Sequence, residues 1–183
     1  MNAWRLPTAV EVCGQPFAVR SDFRAVLDAL DALYDPELSA EEQRTACLQI
    51  LYPRWQNLPD WGAAFTAAME FINLGQPVPD TAPRPALVDW SRDVQLIAPA
   101  VDEVLGYSCR RCAYLHWWDF AGAYQNASPD GLFGTVVRIR DKRRRGKKLD
   151  KAEEEFCRSN PALIQPPHKP TEEEQRLLQL LGE

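Results

Sequence analysis

Tyr114-Leu115-His116-Trp117-Trp118-Asp119-Phe120 places four aromatic rings, an imidazole and a carboxylate within seven residues. Burying one such ring removes about 150–250 Å² from water, at most roughly 4–6 kcal/mol of gross hydrophobic free energy. A stretch this apolar is either the centre of a core or a patch for a partner. The spacing predicts a helix over residues 110–124. Cys112, Leu115 and Trp118 fall on one side of it and Tyr114, Trp117 and Ala121 on another. A helix apolar nearly all round is buried on several faces. The expected structural core is therefore Leu115, His116, Trp117, Trp118 and Phe120, with His116 a hydrogen-bonded polar anchor.

Upstream, Thr8-Ala9-Val10-Glu11-Val12 and Phe17-Ala18-Val19-Arg20 are β-prone runs around a Cys13-Gly14-Gln15-Pro16 turn. They predict a hairpin whose second strand begins after Pro16. Ser21 or Asp22 caps a helix with Phe23, Val26, Leu27, Leu30 and Leu33 at helical spacing, stopped by Asp35-Pro36. Ser39 and Glu42 form a capping box ahead of Cys47, Leu48 and Leu51, and Pro53 closes that helix. Asp60 caps a third helix whose apolar face is Trp61, Phe65, Ala68, Met69 and Ile72, with Gly75 as its stop. Residues 76–85 hold four prolines and read as a linker.

Trp90, Val94, Ile97, Val101 and Leu105 predict a fourth helix, which Pro99 should kink or split and Gly106 should close. Residues 132–139 are ambiguous between a strand and a short helix. Asp150 caps a helix over residues 151–159. Pro161, Pro166, Pro167 and Pro170 then predict an extended tether to a short terminal helix opened by Thr171 and Glu174. The expected architecture is mainly α. A single helical domain (1–160) carries a short N-terminal β-hairpin, and a proline-tethered C-terminal helix follows (161–183).

The chain of 183 residues carries net charge −5, but its distribution is uneven. Residues 138–151 contain nine basic residues and two acids, leaving −12 on the remainder. An acidic body with one basic strip is not a generic polyanion binder. The strip comprises Arg138, Arg140, Lys142, Arg143, Arg144, Arg145, Lys147 and Lys148. It lacks the interleaved aromatics that base readout requires. The chain holds no apolar run long enough to cross a membrane and no signal-peptide pattern, so a cytoplasmic location is expected. Five cysteines, an odd number, suit reduced thiols packed as small hydrophobes.

Three patterns could carry chemistry. Cys109-x-x-Cys112-x-x-x-His116 has zinc-like spacing but supplies three ligands where four are usual; Cys13, Cys47, Cys157 or His168 would have to complete it. Packing is the favoured reading of both cysteines. His116 and Asp119 lie three apart, as an acid–base pair on a helix would, yet no nucleophile or phosphate loop accompanies them. No catalytic residue, metal or cofactor is expected. The Leu177-Leu178-x-Leu180-Leu181 segment is apolar enough either to dock on the body or to bind a partner.

Four separated stretches resemble the bacteriophage gp-fifteen family of long-tailed phages and prophages of Gram-positive bacteria. They are Leu6-Pro7 with Val19-Arg20-Ser21-Asp22-Phe23-Arg24; Asp89-Trp90-Ser91-Arg92-Asp93 with Leu96-Ile97; the aromatic stretch 114–120; and Phe133-Gly134 through Arg138-Ile139-Arg140. The resemblance spans about residues 6–160. Members are generally encoded beside the tape-measure gene and are regarded as tail-assembly proteins. The resemblance therefore implies a non-enzymatic chaperone that covers apolar segments of the tape-measure protein in the host cytoplasm. Tape-measure and other tail proteins would be its partners, with a homo-oligomer possible and no membrane involved. Trp55, Trp61, Leu177, Leu178 and Leu181 are the candidate partner-binding residues. The alternatives are a nucleic-acid-associated phage protein using residues 138–151, or a minor structural protein of the virion tail.

Overall fold

The computed structural model describes residues 4–77 and 87–165. Most of the predicted proline linker, the tether beyond residue 165 and the terminal leucine segment lie outside the described residues. The described chain is mainly helical, with eight α-helices and one two-stranded antiparallel hairpin.

Strands β1 (Ala9–Val12) and β2 (Gln15–Ala18) are joined by Cys13 and Gly14, both at positive φ (50° and 76°). That is the backbone of a type I′ turn, which matches the twist of the strands it connects. The second strand therefore begins before Pro16, not after it. Val12 and Gln15 close the turn, so Pro16 opposite Glu11 occupies the next, non-hydrogen-bonded position. A residue there directs its amide away from the partner strand, so proline forfeits no ladder bond.

Helix α1 (Phe23–Leu33) is capped by Asp22, which accepts from the Arg24 amide. Helix α2 (Ala40–Leu51) opens on the Ser39/Glu42 capping box. Helix α3 (Trp61–Ile72) opens on Asp60. α1 and α2 pack as an antiparallel-type hairpin of helices around Val26, Ala29, Cys47, Leu48 and Leu51, all buried. The buried Tyr52 hydroxyl donates to the Ala64 carbonyl at 2.8 Å and so ties α2 to α3. After α3, Leu74 and Gly75 both take positive φ (58° and 78°), and the Gly75 amide returns to the Glu70 carbonyl at 2.8 Å.

Helix α4 (Val94–Leu105) runs unbroken through Pro99 and stops at Gly106 in the left-handed region; Trp90 precedes it. Helix α5 (Trp117–Gln125) is seven residues shorter at its start than the periodicity predicts. Residues 110–113 form turns and bends closed on the Ser108 carbonyl, and Leu115 and His116 pair with the segment at the start of α1. The Trp117 amide donates to the Ser21 carbonyl (2.7 Å), and the Phe23 amide donates to the Leu115 carbonyl (3.0 Å). An isolated antiparallel bridge links Asp22 and His116. These bonds compete with helix formation and win.

The ambiguous stretch is helical: α6 extends over Leu132–Arg144. Gly134 lies in its first turn, where a Cβ would sit 2.4 Å from the Pro129 carbonyl oxygen. Helix α7 (Lys151–Ser159) has the Asp150 cap expected, as a full capping box with Glu153. The chain does not become an extended tether at residue 161. Pro161–Ile164 forms a helical turn, α8, that packs against α6 and buries Ile164. Proline at the first helical position loses no hydrogen bond, and Ile164 gains core burial, so the folded unit extends past residue 160.

Gly134→Ala should destabilise the protein by at least about 1–3 kcal/mol, because the added methyl meets backbone that cannot rotate away. Thermal or urea unfolding of the purified variant measures it, and an unchanged midpoint would show that the α6 entry adapts freely.

Candidate functional site

The aromatic stretch is a junction. His116 is the N-cap of α5: its Nδ1 accepts from the Trp118 amide at 3.0 Å, while Nε2 lies 2.9 Å from the Pro7 carbonyl. This arrangement requires the Nε2–H tautomer, and both ring nitrogens are occupied. Trp117 donates its indole N–H to the Ile72 carbonyl, and Trp118 donates to the Phe71 carbonyl, each at 2.9 Å. The last carbonyls of a helix have no partner within it, and the two adjacent indoles supply two of them for α3. Leu115, His116, Trp117 and Phe120 are buried as expected. Trp118 is only half-buried, resting against Gly75 and Phe71. Its removal should therefore cost less than loss of a fully buried tryptophan.

Asp22 and Arg24 hold the other side of this junction. Asp22 accepts from the Leu115 amide, and Arg24 donates to the carbonyls of Cys109 and Cys112. Across α5, Phe120 stacks on Phe23 at 4.4 Å between centroids, and Tyr124 meets Trp90 and Phe133.

The zinc-like residues do not converge. The Cys112 thiol donates to the Cys109 carbonyl, and the His116 nitrogens are committed elsewhere. Burial pushes the Cys109 thiol up to about 12, away from the thiolate that a metal needs. Among the described residues no cluster of three or more potential ligands exists. Nor do His116 and Asp119 form the helical pair suggested by their spacing, since His116 precedes the helix and its ring is a cap.

The basic strip is not one surface. Arg140 is buried and makes a bidentate pair with buried Asp93 (2.6 and 3.0 Å), while also donating to the carbonyls of Leu87 and Leu163. It thereby joins α6 to the start of α4 and to α8. Phe133, Val136 and Arg140 recur at helical spacing along the inward face of α6. That periodicity is the signal that marks Arg140 as internal. Lys142 bonds both oxygens of Glu153 (2.6 and 2.7 Å), and Arg138 reaches the same carboxylate at 3.5 Å. Arg144 and Arg145 pair with Asp141. Arg143, Lys147 and Lys148 are exposed and pair with no described carboxylate.

Of the aromatic partner-binding candidates, Trp61 is 44% exposed at the first turn of α3, and Trp55 is half-buried beside it. Their rings meet edge to face at 5.9 Å. Leu177, Leu178 and Leu181 lie outside the described residues. Among the described residues no helix is long and apolar enough to cross a membrane.

Residues 3–80 match the model of the family described as Bacteriophage Gp15 protein. The matched span is 78 of the 183 residues, under half of the chain. It covers β1, β2, α1, α2 and α3 with the Trp55–Trp61 pair. The motifs at 89–97, 114–120 and 133–140 lie beyond the matched residues. No curated protein and no solved structure matches the chain.

Two outcomes follow from the buried and charged contacts. Arg140→Met should cost about 3–5 kcal/mol by leaving Asp93 buried and unpaired, and Asp93→Leu added to it should recover part of that loss; chemical unfolding of the single and double variants measures both. Hydrogen bonds from Lys142, then from the Asp150 amide, hold the Glu153 carboxyl below its ordinary value of 4.5. A depressed folded-state value means that its stabilising contribution is complete above the unfolded value and disappears as pH falls through the folded one. Stability should therefore drop below about pH 4.5, and Glu153→Gln should flatten that acid limb in melts collected across pH.

Proposed function

We propose that the chain is a non-enzymatic tail-assembly chaperone that covers apolar stripes of the tape-measure protein until the tail tube encloses them. The supporting observation is the coincidence of the Gp15 match with an exposed tryptophan, Trp61, whose ring meets that of half-buried Trp55 inside the matched segment. Long helices with exposed apolar stripes aggregate when left uncovered. Clustered tryptophans give large contact area with little conformational entropy to lose, which is why they anchor interfaces. The net-acidic chain would keep a coated tape measure soluble through like-charge repulsion.

Co-expression with the tape-measure protein of the same phage tests the reading. The tape measure should become soluble and co-purify with this chain. Trp61→Ala should abolish co-purification while changing stability by no more than about 0.5 kcal/mol, as exposed positions do. A tape measure equally soluble without this chain would refute the chaperone role.

A further inference from the structure

Two surfaces of opposite charge stand apart on the fold. Residues 28–42, spanning most of α1 and the start of α2, hold six acids and no basic residue. Asp28, Glu37 and Glu41 are exposed and make no ion pair among the described residues. Beside Glu41 and Glu42, the outer face of α2 forms a shallow concavity of about 520 Å³ floored by Leu38, Thr45 and Ala46. Arg44, the nearest cation on that helix, is drawn onto the Phe65 ring, 5.7 Å from its centroid. The Ser39 hydroxyl and amide hold the Glu42 carboxyl below its ordinary range, so the rim stays anionic. The opposite charge sits at the end of α6, where Gly146 turns the backbone at φ 63° and leaves Arg143, Lys147 and Lys148 exposed.

We propose that the basic turn of one copy, Arg143 with Lys147 and Lys148, docks in the acidic concavity beside Glu41 on α2 of a second copy. The two surfaces belong to different elements, so the contact is head-to-tail, and each added copy offers the same pair of surfaces again. A second copy fits better than a nucleic acid. The basic turn has no aromatic side chain for base stacking, and the acidic remainder of the chain repels a polyanion. The arrangement is independent of whether the chain coats a tape-measure protein.

Sedimentation velocity of the full-length protein tests it. Raising salt from about 0.02 M to about 0.5 M shortens the range of charge interactions from about 20 Å to about 4 Å. Open-ended oligomers at low salt should dissociate to monomers over that range. Lys147→Glu/Lys148→Glu and, separately, Glu37→Lys/Glu41→Lys should each be monomeric at low salt. An equimolar mixture of the two variants should stop at a one-to-one dimer, because each supplies one intact surface. The mixture also shows that both variants remain folded. A wild-type monomer at every salt concentration would overturn the proposal. So would oligomers untouched by Glu37→Lys/Glu41→Lys, or salt-sensitive DNA binding by the basic turn without self-association.

Discussion

Two indole N–H groups on adjacent tryptophans close the open end of α3, and the remainder of the structure depends on that contact. A helix ending inside a protein leaves carbonyls that must find donors or remain buried and unsatisfied. Trp117 supplies the donor for Ile72, and Trp118 adds a second donor to the Phe71 carbonyl, which also accepts from the Leu74 amide at 3.2 Å. They can do so because His116 starts α5 exactly one residue before them and is itself held on Pro7. Three regions distant in sequence therefore meet at one short turn: the entry to the hairpin, the end of α3 and the start of α5. Gly75 is part of the same constraint, since a Cβ there would stand 3.1 Å from the Trp118 ring.

A second constraint acts further along the chain. The Asp93–Arg140 pair is buried from both sides and collects the carbonyls of Leu87 and Leu163 around one guanidinium. Its contribution is orientation: a planar fork with five donors fixes α4, α6 and α8 in one arrangement. Glu153 gathers Lys142 and Arg138, so part of the apparent basic strip is buried or charge-paired. The exposed basic residues of the strip that pair with no described carboxylate, Arg143, Lys147 and Lys148, are concentrated at one turn. The interaction candidates are then spatially distinct: an aromatic pair at the start of α3, an acidic face on α1 and α2, and a basic turn after α6.

Helical content, the hairpin and four of the caps, including Asp150, are legible in the sequence because they rest on local chemistry. Asp22, Ser39 and Asp60 cap through their own side chains within three residues. Burial of Leu115, His116, Trp117 and Phe120 is legible because apolar residues crowd every side of that stretch. The start of α5 is not, because its competing hydrogen bonds come from Ser21, Asp22 and Phe23, about ninety residues away (three-dimensional pairing routinely overrides local periodicity). The identity of Arg140 as an internal residue is hidden by its basic neighbours, although its spacing from Phe133 and Val136 carries the information. Pro161 misleads for a related reason: proline is a helix breaker within a helix but a good first residue of one. As for the candidate site, Trp61 is legible as an aromatic surface candidate, whereas the pairing of Arg138, Arg140 and Lys142 depends on Asp93 and Glu153 arriving from other elements.

Amide hydrogen exchange on Trp117→Phe/Trp118→Phe tests the junction most directly. The substitution keeps aromatic packing volume largely in place and removes both indole donors. The account predicts that protection falls together in α3, in α5 and in the hairpin around Pro7, with a lower global unfolding free energy. Loss of protection confined to α5, with α3 and the hairpin unchanged, would contradict it.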